Sequence, residues 1–325
     1  MKYRHVGASG LKVSEIAIGT WLTDLGSEEK VGLAKETIRL AYEKGINFFD
    51  CADAYGNGAA EQFLGGVLAD FPRSKIVVSS KVYFPTGDGV NERGLSRKHI
   101  FDNVERSLKN LKMDYIDLYY CHRFDTQTPV EETLRALDDL VAQGKILYYG
   151  VSEGWTAARL ERAQQMIEKR GLRPLTVIQP QYNMMDRYIE DEIMDVCERY
   201  GIGITPFSPL AQGLLTGKYK KGQPYPAGSR ATHQKDKQVN RLLTEENLYK
   251  VEKLGRIAQE LHTTPSVLAL AWILRKECIS SVITGASRPQ QLEENVAASD
   301  LRLDPSVLRE IEGILDYHPF YRSIG

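Results

Sequence analysis

Four side chains able to act together on a carbonyl group stand where apolar runs give way to polar residues. The run Ile46 to Phe49 ends in Asp50-Cys51-Ala52-Asp53-Ala54-Tyr55-Gly56, Lys81 follows the run Ile76 to Ser79, and His122 follows the run Ile116 to Tyr120. Each has an ordinary reading by itself. Asp and Gly after a strand are turn formers, Lys81 reads as a surface lysine, His122 as a satisfied core histidine and Tyr55 as a packed aromatic. As a set they have a chemical use. A phenol titrates near ~10 when unperturbed, and a neighbouring ammonium is expected to lower that by ~1–3 pH units. A carboxylate keeps the ammonium charged and oriented. The phenol then gives its proton to an oxygen gaining negative charge, while the imidazole fixes that oxygen. This is machinery for reducing a carbonyl, with the hydride left to a cofactor.

Bringing these groups together requires a fold that gathers strand ends. Eight short runs rich in β-branched and aromatic residues recur at Ile16–Gly19, Ile46–Phe49, Ile76–Ser79, Ile116–Tyr120, Ile146–Val151, Val177–Gln179, Ile202–Phe207 and Ile279–Ile283. The first six begin at intervals of one βα unit. Helical periods lie between them. Glu28–Lys44 aligns Val31, Ala34, Ile38 and Ala41. Ser96 caps a stripe of Ile100, Val104, Leu108 and Leu111. Pro129 is expected at the first position of a helix burying Leu134, Leu137 and Val141. Gly45, Gly144, Gly171 and Gly201 follow helical stretches, where a left-handed C-cap is wanted. Eight strands alternating with helices close most economically as a (β/α)8 barrel, whose active residues sit at the strand carboxyl ends.

A doubly wound open sheet is the structural alternative, but it calls for a Gly-rich turn after the first strand, and Gly19-Thr20-Trp21 is none. Gly56-Asn57-Gly58-Ala59-Ala60-Glu61 starts like a dinucleotide fingerprint, yet Glu61 takes the third glycine position. Gly7-Ala8-Ser9-Gly10 predicts an N-terminal β-hairpin. The stretch from Phe207 to Ile279 is much longer than the other intervals. It opens with a Lys/Gly/Pro-rich loop to about Asn240, the size of a binding loop or lid. Helices are expected at Glu245–His262, Pro265–Lys276 and Pro305–Tyr317. Residues 1–325 read as one domain.

Composition narrows the class. The 325 residues carry 42 Lys+Arg against 43 Asp+Glu, a net charge of −1, which offers nothing to nucleic acid or an anionic membrane. No apolar run approaches the ~18–20 residues of a membrane span. Met1-Lys2-Tyr3-Arg4-His5 lacks a signal-peptide core, so a cytoplasmic protein is expected. Cys51, Cys121, Cys197 and Cys278 show no CxxC spacing and read as reduced, packed thiols. The histidines are dispersed, and no metal is predicted.

The motifs, in order, resemble the aldo-keto reductase family over essentially the whole chain, and within it the branch of voltage-gated potassium channel β subunits and their bacterial relatives. They are Gly19-Thr20-Trp21, Asp50 to Gly56, Ser80-Lys81, His122-Arg123-Phe124-Asp125, Gly150-Val151-Ser152, Gln179-Pro180-Gln181-Tyr182-Asn183, Ser208-Pro209-Leu210-Ala211-Gln212-Gly213 with Lys218, and Gly285-Ala286-Ser287-Arg288 through Glu294-Asn295. The resemblance implies a catalytic tetrad of Asp50, Tyr55, Lys81 and His122, with Tyr55 as the acid and Asp53 outside the tetrad. It implies NADP(H) laid across the barrel mouth and a small carbonyl substrate reduced to an alcohol. Thr20, Trp21 and Asp50 would border the cofactor, Ser152 and Gln179 would hold its carboxamide, and Phe207 would stack on the nicotinamide. Ser208, Leu210, Gly213 and Lys218 would contact the pyrophosphate, Arg230 a further loop position, and Gly285, Ser287, Arg288, Gln291, Glu294 and Asn295 the adenosine end.

A helix beginning near Pro289 would attract a 2′-phosphate that Arg288 could grip, favouring NADP over NAD. A solvated helix-start arginine is the other reading of Arg288. Two departures stand out. Glu153 replaces the amide or basic residue that members of the family place after this serine, and so puts one carboxamide contact in doubt. His122 stands where channel β subunits carry Asn, which favours a working reductase. Tyr83, Phe84, Trp21 and Trp155 either line an aromatic substrate pocket or pack. The channel likeness carries an alternative, a regulatory β-type subunit that senses nicotinamide redox state, and hints at a homotetramer. A different barrel enzyme, such as a phosphate-sugar isomerase, is a less specific alternative.

Overall fold

The computed structural model describes residues 1–21, 25–232 and 237–319. A two-stranded antiparallel hairpin, β1 (Tyr3–His5) and β2 (Lys12–Ser14), precedes eight parallel strands. These are β3 (Ile16–Gly19), β4 (Phe48–Asp50), β5 (Val77–Val82), β6 (Ile116–Arg123), β7 (Ile146–Glu153), β8 (Val177–Ile178), β9 (Gly203–Ile204) and β10 (Val282–Thr284). Their order is β10-β3-β4-β5-β6-β7-β8-β9. The sheet closes on itself: Ile204 N–H donates to the Cys278 carbonyl at 3.1 Å, Ser280 N–H to the Ile204 carbonyl at 2.8 Å, and Ile283 N–H to the Pro206 carbonyl at 3.0 Å. The fold is a (β/α)8 barrel.

The two-residue period of the strands sorts side chains between two cores. Ala17, Phe48, Val77, Leu118, Tyr120, Val177 and Ile283 face inward and form one cluster with Val6 and Val13 of the hairpin. Their sequence neighbours, including Ile18, Phe49, Val78, Tyr119, Cys121 and Ile178, join the larger cluster under the helices. The hairpin thus closes the amino-terminal floor of the barrel. Gly7 makes this possible: at φ +55°, any Cβ would lie 2.2 Å from the Gly201 carbonyl oxygen. Fully burying Val6 and Val13 stabilises this floor by about 1.5–3 kcal/mol each.

The helices connecting the strands include α1 (Glu28–Glu43), α2 (Ala59–Leu68), α3 (Arg97–Leu111), α4 (Val130–Ala142), α5 (Ala157–Arg170) and α6 (Ile193–Tyr200). Ser96 caps α3 as expected, its hydroxyl accepting the His99 N–H at 3.2 Å. The four glycines expected to end helices all have positive φ. Pro129 falls one position earlier than expected: it is the N-cap of α4, with extended ψ of 129°, and Val130 starts the helix. After β9 come α7 (Lys237–Leu242), α8 (Glu245–Glu260) and α9 (Pro265–Leu274), then α10 (Pro289–Val296) and α11 (Pro305–Leu315) after β10. α7 shortens the loop expected up to Asn240. No helix among the described residues is long and apolar enough to cross a membrane. Cys51, Cys121 and Cys197 are buried free thiols, and Cys278 is a partly buried one.

Candidate active site

The inward positions change character within one step along the strands. Two residues beyond Phe48 comes Asp50, four beyond Val77 comes Lys81, two beyond Tyr120 comes His122, and two beyond Val177 comes Gln179. The same alternation that fills the floor with apolar side chains aims these polar ones into the opposite end. Tyr55 reaches them from the turn after β4. The Lys81 ammonium donates to Asp50 Oδ2 at 2.7 Å, to the Cys51 carbonyl at 2.7 Å and to the Tyr55 hydroxyl at 3.2 Å. Ser79 Oγ and Gln179 Nε2 donate to Asp50 Oδ1 at 2.6 and 2.9 Å. The ring of His122 meets that of Tyr55 edge-on with centroids 5.8 Å apart, and that of Phe84 edge-on at 4.9 Å.

A buried ion pair is tolerated when each charge is fully hydrogen-bonded. Asp50 and Lys81 meet that condition, with side chains 4% and 1% exposed. Burial works against the ammonium, but Asp50 and Tyr55 outweigh it and hold its titration above the ordinary lysine value. Tyr55 departs from the sequence expectation. Burial is the largest influence on its phenol and pushes the pKa up to about 12; Lys81 pulls it down, and Asp50 pushes it up again. The amine acts in the expected direction, and burial overrides it. The phenol is therefore fully protonated at neutral pH. The His122 imidazole is held well below its ordinary value by burial, then by the charges of Lys81 and Arg123, and so is neutral there. Its Nδ1 is buried without a partner among the described residues. The cluster can donate a proton from a phenol, stabilise the resulting phenolate and hydrogen-bond an adjacent oxygen.

The remaining predicted residues differ in how closely hydrogen bonds tie them to this cluster. The Thr20 hydroxyl donates to the Asp50 carbonyl at 3.1 Å. Gln179 is occupied by Asp50 through its amide nitrogen, and Ser152 Oγ donates to the Gln179 carbonyl at 2.6 Å, so both are built into the support of the carboxylate. Phe207 is partly exposed at the end of the strand path, and its carbonyl accepts the Tyr182 N–H at 3.4 Å. Ser208, Ala211, Gln212 and Gly213 all have positive φ, a strained run of the kind that gathers at ligand clamps. Asn183 holds it by donating to the Ser208 carbonyl at 3.0 Å, and a Cβ on Gly213 would sit 2.9 Å from Lys218 Nζ. Leu210 enters this turn partly exposed. The Arg230 guanidinium lies 5.2 Å over the half-exposed ring of Trp21.

Gly285 is exposed, and the Ser287 amide and hydroxyl both donate to Gln291 Oε1, at 2.9 and 3.1 Å. Arg288 is the exposed N-cap of α10. Glu294 accepts from the Thr264 hydroxyl at 2.5 Å, and Asn295 is buried. Of the aromatics, Trp155 is buried against Phe124 and packs, whereas Phe84 stands at His122. Glu153 is partly buried with Oε1 unpartnered among the described residues, and the Arg123 guanidinium is 3.9 Å away. Sequence reasoning gave no role to Ser79 or Asn183, whereas Phe84, read as a pocket-lining or packing aromatic, stands at His122. Ser79 was recoverable, since it shares the inward face of its strand with Lys81.

The family model for the Aldo/keto reductase family matches residues 15–316. An Arabidopsis thaliana protein named "Probable voltage-gated potassium channel subunit beta" is 42% identical over 325 residues, covering 98% of each chain. The protein of the same name from Oryza sativa subsp. japonica matches equally well. A relative from Schizosaccharomyces pombe (strain 972 / ATCC 24843) is 39% identical over 326 residues, covering 98% of this chain and 94% of its own.

Proposed function

The chain belongs to the aldo/keto reductase family, a family of oxidoreductases, and from that premise we propose that it reduces aldehydes or ketones to alcohols with NADPH. The observation that carries the proposal is the 3.2 Å contact between the Lys81 ammonium and a protonated Tyr55 hydroxyl, with Asp50 behind the lysine. The residues present fit a dinucleotide. The turn from Ser208 to Gly213, with three successive residues from Ala211 at positive φ, is of the kind whose backbone N–H groups can receive a pyrophosphate, and Gln212 and Ser229 leave buried oxygens unpartnered among the described residues. Thr20, Trp21, Phe207, Leu210, Lys218 and Arg230 would border it. Ser287, Arg288, Gln291, Glu294 and Asn295 would hold its adenosine end, with Arg288 beside a 2′-phosphate. When bound, NADPH would supply a hydride.

The chain's own residues then handle the oxygen. The neutral His122 imidazole hydrogen-bonds the carbonyl oxygen and points it at Tyr55. Tyr55 releases its proton to that oxygen as charge builds on it. The phenolate left behind is stabilised by Lys81, whose charge Asp50 holds in place. Ser79 and Gln179 keep the Asp50 carboxylate from turning away. The test is NADPH oxidation against short aldehydes, methylglyoxal, sugar aldehydes and aromatic carbonyls, repeated with NADH and with Tyr55→Phe. The expected result is turnover that prefers NADPH and falls about 10²–10⁴-fold in the variant, with NADPH affinity nearly unchanged. Equal loss of turnover and affinity would refute the role of Tyr55.

The names of the relatives support a second reading, a channel-associated β-type subunit, for which the same cofactor site would sense nicotinamide redox state. Negligible carbonyl reduction together with co-purification of a membrane channel would favour it.

A further inference from the structure

The turn that delivers Tyr55 is strained directly behind it. The next three residues, Gly56, Asn57 and Gly58, all lie in the left-handed region, at φ +59°, +52° and +90°. Of the three, Asn57 alone carries a Cβ, and such a residue stays left-handed only where its surroundings hold it there. The group that holds it is Arg106 of α3. Its Nη2 donates to the Asn57 carbonyl at 2.9 Å and to Asn57 Oδ1 at 2.7 Å. Both acceptors belong to one residue, so one guanidinium nitrogen fixes its peptide and its side chain together. Gly58 is seated against the same helix, where a Cβ would lie 2.7 Å from Asn110 Nδ2. Arg106 and Asn110 are one turn apart on α3 and share a face. From Asn110 the contacts lead to the other member of the donor pair. Asn110 Nδ2 donates to Glu61 Oε2 at 2.9 Å, and Glu61 Oε1 accepts at 2.6 Å from Ser80 Oγ, in the residue before Lys81. The leading end of the turn is tied to the amine directly, by the 2.7 Å bond from Lys81 to the Cys51 carbonyl.

We propose that Arg106 is a positioning residue for the proton donor: by gripping Asn57 it holds the trailing end of the turn and keeps the Tyr55 hydroxyl 3.2 Å from the Lys81 ammonium. The proposal rests on the reading of Tyr55 as proton donor and adds what keeps it in range. Without the guanidinium the turn can relax toward ordinary φ, and Tyr55, two residues back, moves with it. The contact matters little to folding. Asn57 is exposed and Arg106 only partly buried, and a substitution at such a place changes stability little. Its effect on rate is larger, because a displacement of about 1 Å at reacting groups can cost about 10²-fold.

The test compares Arg106→Met with the wild type in kcat, NADPH affinity, Tm and the Tyr55 ring resonance, the last read by NMR in tyrosine-labelled protein and assigned by its absence in Tyr55→Phe. The variant's kcat should fall by about 10–10²-fold with NADPH affinity and Tm nearly unchanged, and the resonance should shift. Arg106→Lys, which can still donate to one of the two acceptors, should recover part of the rate and shift the resonance less. Asn57→Gly suits the left-handed turn but removes Oδ1. It should lose less than Arg106→Met, and the double variant should lose no more than Arg106→Met alone. An unchanged kcat, a fallen Tm with kcat intact, losses that add in the double variant, or a resonance that stays in place would overturn the proposal. Should Arg106→Met fail to fold, the resonance in Arg106→Lys and Asn57→Gly decides. That resonance needs neither turnover nor cofactor, so a protein that reduces no carbonyl yet shows the shift keeps the grip of Arg106 on the turn and loses only the reductase reading.

Discussion

The floor and the mouth of this barrel are built from the same strands and the same inward-facing positions, one layer apart. At the floor, Phe48, Val77, Leu118 and Val177 pack against Val6 and Val13 and leave no polar group to satisfy. At the mouth, Asp50, Lys81, His122 and Gln179 occupy the equivalent inward positions, and each charge there is held by named hydrogen bonds. The difference teaches that position in the fold sets which way a side chain points, while distance along the strand sets whether it meets the hairpin or the open end. Floor residues should therefore govern stability and mouth residues chemistry.

The substitution most able to break that division is Lys81→Met. It should abolish turnover as thoroughly as Tyr55→Phe, because the phenolate loses its neighbouring charge. It should also destabilise the protein by about 3–5 kcal/mol, because Asp50 is left buried and unpaired. Adding Asp50→Asn should recover stability without recovering turnover, as read by denaturant melts beside NADPH oxidation. A Lys81→Met protein as stable as the wild type would mean that the pair is not buried as described.

Phe48→Ala tests the opposite end. It should cost about 3–5 kcal/mol of stability while kcat of the folded protein stays within a small factor of the wild type. A large fall in kcat would show that the floor reaches the chemistry. The smallest effect is a titration that should be absent. With burial holding the Tyr55 phenol at a pKa of about 12, the ultraviolet difference spectrum between wild type and Tyr55→Phe should show no phenolate below about pH 10. A phenolate signal at pH 8 or 9 would restore the expectation that the amine dominates.

Much of the barrel was legible because apolar runs and helical stripes mark elements that must be buried. The strand ends were less so. β5 continues through Lys81 to Val82, β6 through His122 to Arg123, and β7 through Ser152 to Glu153, whereas the apolar runs stop earlier. A ladder of backbone hydrogen bonds carries on where hydrophobicity ends, so the site residues sit within strands instead of after them. The tetrad candidates were readable because their residue types are unusual at such places. Their supports were not, since the bond from Gln179 to Asp50 spans 129 residues and Asn183 reaches Ser208 across a second loop. The ionisation of Tyr55 was misjudged for the same reason: charge can be read from a residue's type, but burial depends on what the rest of the chain covers.

Among the described residues, the hairpin stoppers the floor and leaves the mouth as the open end. Everything that reaches the inward-facing groups must come and go by the same opening, and in the proposed reading a dinucleotide would lie across it. In that reading, traffic through such an entrance would have an order, the dinucleotide going in before the carbonyl compound and coming out after the alcohol. The small β1–β2 ribbon, at the opposite end of the barrel from the tetrad, would in this way set the sequence of events on the far side.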